Sequence, residues 1–110
     1  MLTLLEVAFV GHLTVQALDD DLAPLEVQMS LPGPRFGLLV DCRRMTGYDG
    51  EARAAFIHWN RTQRKRVDRV AVVTTNLLWH MVVSAISLAS AQKMKAFGDT
   101  SGARAWLVGR

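Results

Sequence analysis

Apolar runs alternate with stretches of helical periodicity along the whole chain. Residues 2–10 are apolar apart from Thr3 and Glu6, and Val7, Phe9 and Val10 favour a strand that Gly11 and His12 should end. Leu18, Leu22, Leu25 and Met29 follow at spacings of four, three and four, one face of a helix that Thr14 can cap. Asp19, Asp20 and Asp21 lie near its beginning, where carboxylates suit the helix dipole. Pro24 should kink this helix or restart it with Asp21 near the new cap. Leu31-Pro32-Gly33-Pro34 is a loop.

Residues 36–41 (FGLLVD) read as a buried strand ending on a carboxylate, and the polar, glycine-bearing residues 43–50 as a loop. A helix is expected over 49–65, with Ala52, Ala55, Phe56, Trp59 and Gln63 within an arc of about 100°. Residues 67–74 form the most apolar strand. Val67, Val70, Val72 and Val73 bounded by polar residues predict a central parallel strand buried on both faces. Residues 92–97 alternate lysine with Met94 and Ala96, as a half-exposed strand near a sheet edge does. Asp99, Thr100 or Ser101 can cap a last short helix with Ala103, Trp106 and Leu107 inward. The β-α-β-α-β-α-β-α order predicts an α/β fold with a mostly parallel sheet.

The helix over 76–90, which Thr75 or Asn76 can cap, is greasier than one packing surface requires. Its apolar residues cover roughly 240° of the wheel where roughly 100° suffices. His80, Ser84 and Ser87 share the remainder. Trp79, Val83 and Ile86 read as the surplus, to be met by another helix, another subunit or a ligand.

Composition narrows the picture. A chain of 110 residues, half of them hydrophobic, suits a single domain over 1–110 with a core that needs no disulfide or metal. The net charge of +3 is carried largely by Arg61, Arg64, Lys65, Arg66 and Arg69, which read as a solvated helix end. No aromatics are interleaved for base stacking, which argues against nucleic acid as a partner. Cys42 is the sole cysteine, so an internal disulfide and a cysteine zinc site are excluded. It follows a buried strand and should be inert. The N-terminal stretch lacks a positive n-region and a cleavage site, and no apolar run reaches the roughly 20 residues of a membrane span. A cytoplasmic protein without a cofactor is the expectation.

Three stretches, LLVDCRRMTGYDG, RVAVVTTNLLWHMVV and KMKAFGDTSGARAWL, together resemble the STAS-like proteins, the fold of anti-sigma-factor antagonists. The nearest group is the small bacterial branch grouped with CRAL-TRIO-type lipid-transfer folds. The resemblance implies a four- to five-stranded sheet with about four helices mainly on one face, and action by binding rather than catalysis. In anti-sigma antagonists an aspartate eight residues past the strand-ending one precedes a phosphorylatable serine. Asp41 and Asp49 reproduce that spacing, but Gly50 and Glu51 follow, and Thr46 and Tyr48 stand in different positions. The resemblance therefore supports the fold rather than a phosphorylation switch.

Ligands of open α/β sheets gather at the carboxyl ends of the strands. There Asp41, Tyr48, Asp49, Asn76, Trp79 and His80 could form a small polar site with an aromatic wall, joined by Val83 and Ile86. Asp41 and Asp49 could be a paired acid and base, although bonds to loop N–H groups and a helix cap are the commoner uses. His12, His58 and His80 stand on three elements with no i, i+4 pair to suggest a metal. Ser84 and Ser87 lack a nucleophile setting, and neither glycine-rich phosphate motif occurs. Trp59 and Trp106 read as core, Trp79 as a pocket wall or dimer contact. The leading reading is a non-enzymatic protein-binding domain, self-associating through Trp79, Met81, Val82, Val83 and Ile86. The alternatives are a carrier or sensor of a small hydrophobic ligand or lipid and, last, a hydrolase or transferase using Asp41, Asp49 and His80.

Overall fold

The computed structural model describes residues 2–109. It contains β1 (Thr3–Leu13), α1 (Val15–Met29), β2 (Phe36–Tyr48), α2 (Gly50–Gln63), β3 (Val67–Val73), α3 (Leu77–Ser90), β4 (Met94–Phe97) and α4 (Thr100–Val108). The strands form one sheet in the order β1-β2-β3-β4, every neighbouring pair parallel. Sequential order with right-handed crossovers sends each connecting helix to the same side. Accordingly α1, α2 and α3 cover one face, with Leu18, Phe56 and Ile86 in one core with Leu38, Val40 and Val70 of the sheet. The terminal α4 is free of that constraint and covers the other, with Ala103 and Leu107 on Leu39, Ala71 and Val73. β3 is interior, and Val67, Val70, Ala71, Val72 and Val73 are all buried. The short β4 lies at the edge, as its alternation predicts.

Three helices start where a side chain can accept an orphan backbone N–H. Thr14 Oγ1 accepts from Ala17 N at 3.1 Å, Asn76 Oδ1 from Leu78 N at 3.0 Å and Asp99 Oδ1 from Gly102 N at 2.7 Å. α1 runs through Pro24 as one helix, without restarting at Asp21, and no acidic residue lies in its first turn. The missing proline N–H costs one bond, while Leu18, Leu22, Leu25 and Met29 still bury a single face.

Two strand boundaries differ from the sequence expectation. β1 continues through Gly11 and His12, and β2 runs through the presumed loop to Tyr48. The ladder to β3 stops at Asp41, opposite Val73, while pairing with β1 continues to Leu13 opposite Tyr48. The ends of β1 and β2 thus project as a two-stranded ribbon with polar residues on its solvated side. Two register shifts accommodate extra β2 residues, and Gly11 adopts φ +75° beside them.

The basic run is largely engaged in structure. Arg61 donates to Ala89 O, Arg66 to Leu31 O and Arg69 to Trp106 O. Arg66 also lies over the Phe36 ring and Arg69 over Trp106. Trp59 is buried and donates to Glu26 Oε1 at 2.8 Å. Trp106 is half-buried against Phe97 in the α4 layer.

Candidate functional site

Side-chain alternation along β2 divides the residues expected at the carboxyl edge. Leu38, Val40 and Cys42 face the three-helix layer, whereas Leu39, Asp41 and Arg43 face the α4 side. Asp41 Oδ1 accepts from Arg43 N and Nε at 3.0 Å each, and Oδ2 from Arg43 Nη2 at 2.8 Å. The Arg43 hydrogen bonds hold the Asp41 carboxyl below the usual carboxylate range, against the opposing effect of burial. Both residues line a shallow groove of about 400 Å³ with the Glu6–Arg104 ion pair.

Asp49 occupies the N-cap position of α2 but makes no side-chain cap bond. Its Oδ1 accepts from His12 Nε2 at 2.7 Å instead, across the ribbon, where Gly47 leaves room for the imidazole. His80 Nε2 donates to Thr74 O at 3.1 Å, and Asn76 is occupied as the α3 cap. Asp41, Asp49, Asn76 and His80 therefore have separate partners, and Asp41 sits across the sheet from the aromatic pair. Tyr48 and Trp79 do come together, edge to face with ring centroids 5.9 Å apart. Among the described residues no three His, Cys, Asp or Glu side chains are grouped to hold a metal. Burial, with a smaller contribution from the Asp41 charge, pushes the Cys42 thiol up to about 12.

Beneath Tyr48 and Trp79 lies a partly enclosed cavity of about 70 Å³ between the sheet, α2 and α3. Phe9, Phe56, Val72, Val82, Val83 and Ile86 give it apolar walls; Ala52 leaves space, and Arg53 is also among the lining residues. Of the residues expected at the site, Tyr48, Trp79, Val83 and Ile86 line this cavity. Phe9, Ala52 and Arg53 do not stand out in the sequence as lining residues. Ala52 belongs to the inward arc of α2 and Arg53 to its outer side, so only the approach of α3 makes them neighbours of one space.

The surplus of α3 falls on the opposite margin from the one expected. Val83 and Ile86 are its packing stripe, both buried, with Trp79 and Val82 half-buried beside them. The uncovered residues are Leu77 (78 % exposed), Leu78 (71 %), Met81 (71 %) and Leu88 (85 %). An apolar arc that wide permits several rotations about the helix axis, and the one adopted seats Trp79, Val83 and Ile86 against the sheet and α2. Leu78, Met81, Ala85 and Leu88 recur at steps of three, four and three, the spacing of a paired-helix seam. No Asp, Glu, Lys or Arg occurs anywhere from Thr74 to Gln92.

No helix among the described residues is long and apolar enough to cross a membrane. Comparison with known proteins supplies the relationship. The crystal structure of an uncharacterized DUF3478-family protein with a SpoIIAA-like fold from Shewanella loihica PV-4 superposes with a TM-score of 0.76. It is 21% identical, and the match covers 93% of this chain and 82% of that one, so the likeness speaks for the fold. No curated protein matches the chain significantly. The SpoIIAA-like family matches over residues 4–108, nearly the whole chain. Sheet order, helix layering and this match agree with the STAS-like resemblance, and the chain belongs to the SpoIIAA-like family.

Proposed function

We propose that the chain is a non-enzymatic binding domain that works through protein–protein contact, first of all with a second copy of itself across the outer face of α3. The observation that carries this reading is the bare stripe of Leu77, Leu78, Met81 and Leu88. These side chains expose on the order of 500 Å² of apolar surface, near the upper end of what a monomer leaves uncovered. Two copies pairing through the stripe would remove on the order of 1,000 Å² from water, the lower bound for a specific interface. A two-fold axis joins identical patches. No Asp, Glu, Lys or Arg lies between Thr74 and Gln92, so α3 itself presents an uncharged face to such a pairing. Exposed Ser84, Ala85 and Ala89 are small enough to let two helix backbones approach.

Light scattering on the purified chain tests the reading. A species of twice the 12.2 kDa chain mass is expected, reverting to monomer in the double variant Leu78→Glu/Leu88→Glu. A monomer at all micromolar concentrations, or a dimer that the double variant leaves intact, overturns it.

The cavity beneath Trp79 supports a second, narrower reading as a small-molecule sensor. At about 70 Å³ it is a fraction of the roughly 300 Å³ at which ligand pockets usually begin, which favours a compact molecule over an acyl lipid. The separate partners of Asp41, Asp49 and His80 give the hydrolase or transferase reading no support.

A further inference from the structure

We infer that a groove at the amino end of the sheet binds a compact multivalent phosphate, linked phosphoryl groups held by Arg64, Lys65 and Lys93. In an all-parallel sheet every helix-to-strand connection returns to that end, so the approaches to β2, β3 and β4 meet there. They bring Arg35, the pair Arg64 and Lys65, and Lys93 around one open groove of about 500 Å³. That volume lies within the range of small-molecule sites.

Charge sets the class. Asp68 is the one carboxylate among the lining residues, against four cations. It is held between Arg35 Nη1 at 3.4 Å and Arg69 Nε at 3.3 Å, so it does not neutralise the others. Arg64, Lys65 and Lys93 are exposed, and among the described residues none has a carboxylate within ion-pair distance. α2 and α3 end beside the groove, and helix C-termini ordinarily disfavour anions. Here Arg35 Nη2 donates to the Arg64 carbonyl at 2.9 Å and Arg61 Nη2 to the Ala89 carbonyl at 2.6 Å. Buried Gln92 anchors the approach to β4, its Nε2 donating to Val67 O at 3.3 Å.

A concave wall of like charge focuses the field on its occupant. No aromatic side chain lines the groove for a base to stack on. The cations converge from three connections, which suits dense charge on a small body better than charge spaced along an acidic peptide. None of Leu77, Leu78, Met81 and Leu88 lines the groove, so the assignment does not rest on self-association.

Calorimetric titration with tripolyphosphate, orthophosphate and tetraglutamate at physiological ionic strength tests the proposal. Saturable binding of tripolyphosphate is expected, tighter than that of either other anion. Lys65→Gln/Lys93→Gln should weaken it by about tenfold, the scale of two exposed ion pairs. Arg44→Gln/Lys95→Gln removes as much charge from exposed positions outside the groove and should leave binding unchanged, with circular dichroism confirming both folds. Phosphatidylcholine vesicles carrying phosphatidylinositol bisphosphate distinguish the source of the phosphate. A lipid headgroup makes the chain sediment with them, and Lys65→Gln/Lys93→Gln releases it; a soluble ligand leaves the chain in the supernatant while tripolyphosphate still binds. No saturable binding of tripolyphosphate, orthophosphate or tetraglutamate binding as tightly, an unaltered Lys65→Gln/Lys93→Gln titration, or equal weakening in both double variants would each overturn the assignment.

Discussion

Tyr48 and Trp79 meet with ring planes at 67° and centroids 5.9 Å apart, joining the last residue of β2 to the first turn of α3. Edge-to-face aromatic pairs contribute about 0.5–1.5 kcal/mol beyond their buried area. The contact ties the projecting β1–β2 ribbon to a helix that also walls the cavity. Tyr48→Ala should lower the unfolding free energy by about 1–2 kcal/mol in urea titrations and shift Trp79 emission to the red. Unchanged stability and emission would mean that the ribbon tip is held by backbone pairing alone.

Leu78→Glu and Leu88→Glu probe α3 in a different way. Both side chains lie on the bare face, so in dilute solution, where any dimer has dissociated, each substitution should shift stability by no more than about 0.5 kcal/mol. At higher protein concentration the parent should melt at a higher temperature and the variants should not, because association stabilises the folded state by mass action. Differential scanning calorimetry across a concentration series reads both effects.

Cys42 should be silent toward thiol reagents in the native protein. With its thiol pushed up to about 12, the thiolate available at mildly alkaline pH is about a thousandfold below that of an ordinary cysteine, and burial adds a steric barrier. Iodoacetamide labelling followed by mass spectrometry should be negligible in buffer and rapid in denaturant. Fast native labelling would show that the β2 ribbon opens readily.

The Asp41–Arg43 contact has a defined pH dependence. Because the hydrogen bonds from Arg43 lower the folded-state pKa of Asp41, the contact's stabilisation is fully present above the unfolded value near 3.9. It fades as pH falls through the folded value. The pair is partly solvated, so Asp41→Asn should cost less than about 1 kcal/mol at neutral pH. The difference from the parent should vanish in strong acid; a gap that grows on acidification would contradict this linkage.

Ala91 ends α3 in the left-handed region at φ 55°, a conformation that costs a side-chain-bearing residue about 1 kcal/mol. Ala91→Gly should therefore raise the unfolding free energy by up to about 1 kcal/mol. Chemical denaturation reads the change, and a loss of stability would show that backbone freedom gained in the unfolded chain outweighs the relief.

The local rules that place elements could be read from the residues. Four valines with polar ends mark an interior strand, Thr14, Asn76 and Asp99 mark helix starts, and alternating lysines mark an edge. Each depends on a period of two, on a helical period, or on one side chain reaching a nearby N–H, all carried by neighbouring residues. The β2 extension was hidden because a ribbon solvated on one side has the polarity and glycines of a loop, and only its β1 partner distinguishes the two.

The composition of α3 announced that some apolar surface would be left over, but not which. With about 240° of apolar arc the helix has no single preferred inward direction. The sheet and α2 decided it by accepting Trp79, Val83 and Ile86 and leaving Leu77, Leu78, Met81 and Leu88 outside. The same holds at the carboxyl edge. The parity of β2 separates Asp41 from Tyr48 and Trp79, and Asp49 is drawn to His12 by a strand pairing that brings together residues 37 apart in the chain. Element identity was set by residues adjacent along the chain; the bare face, the cavity and the ion pairs were decided by packing between distant segments, which a single chain's periodicity does not encode.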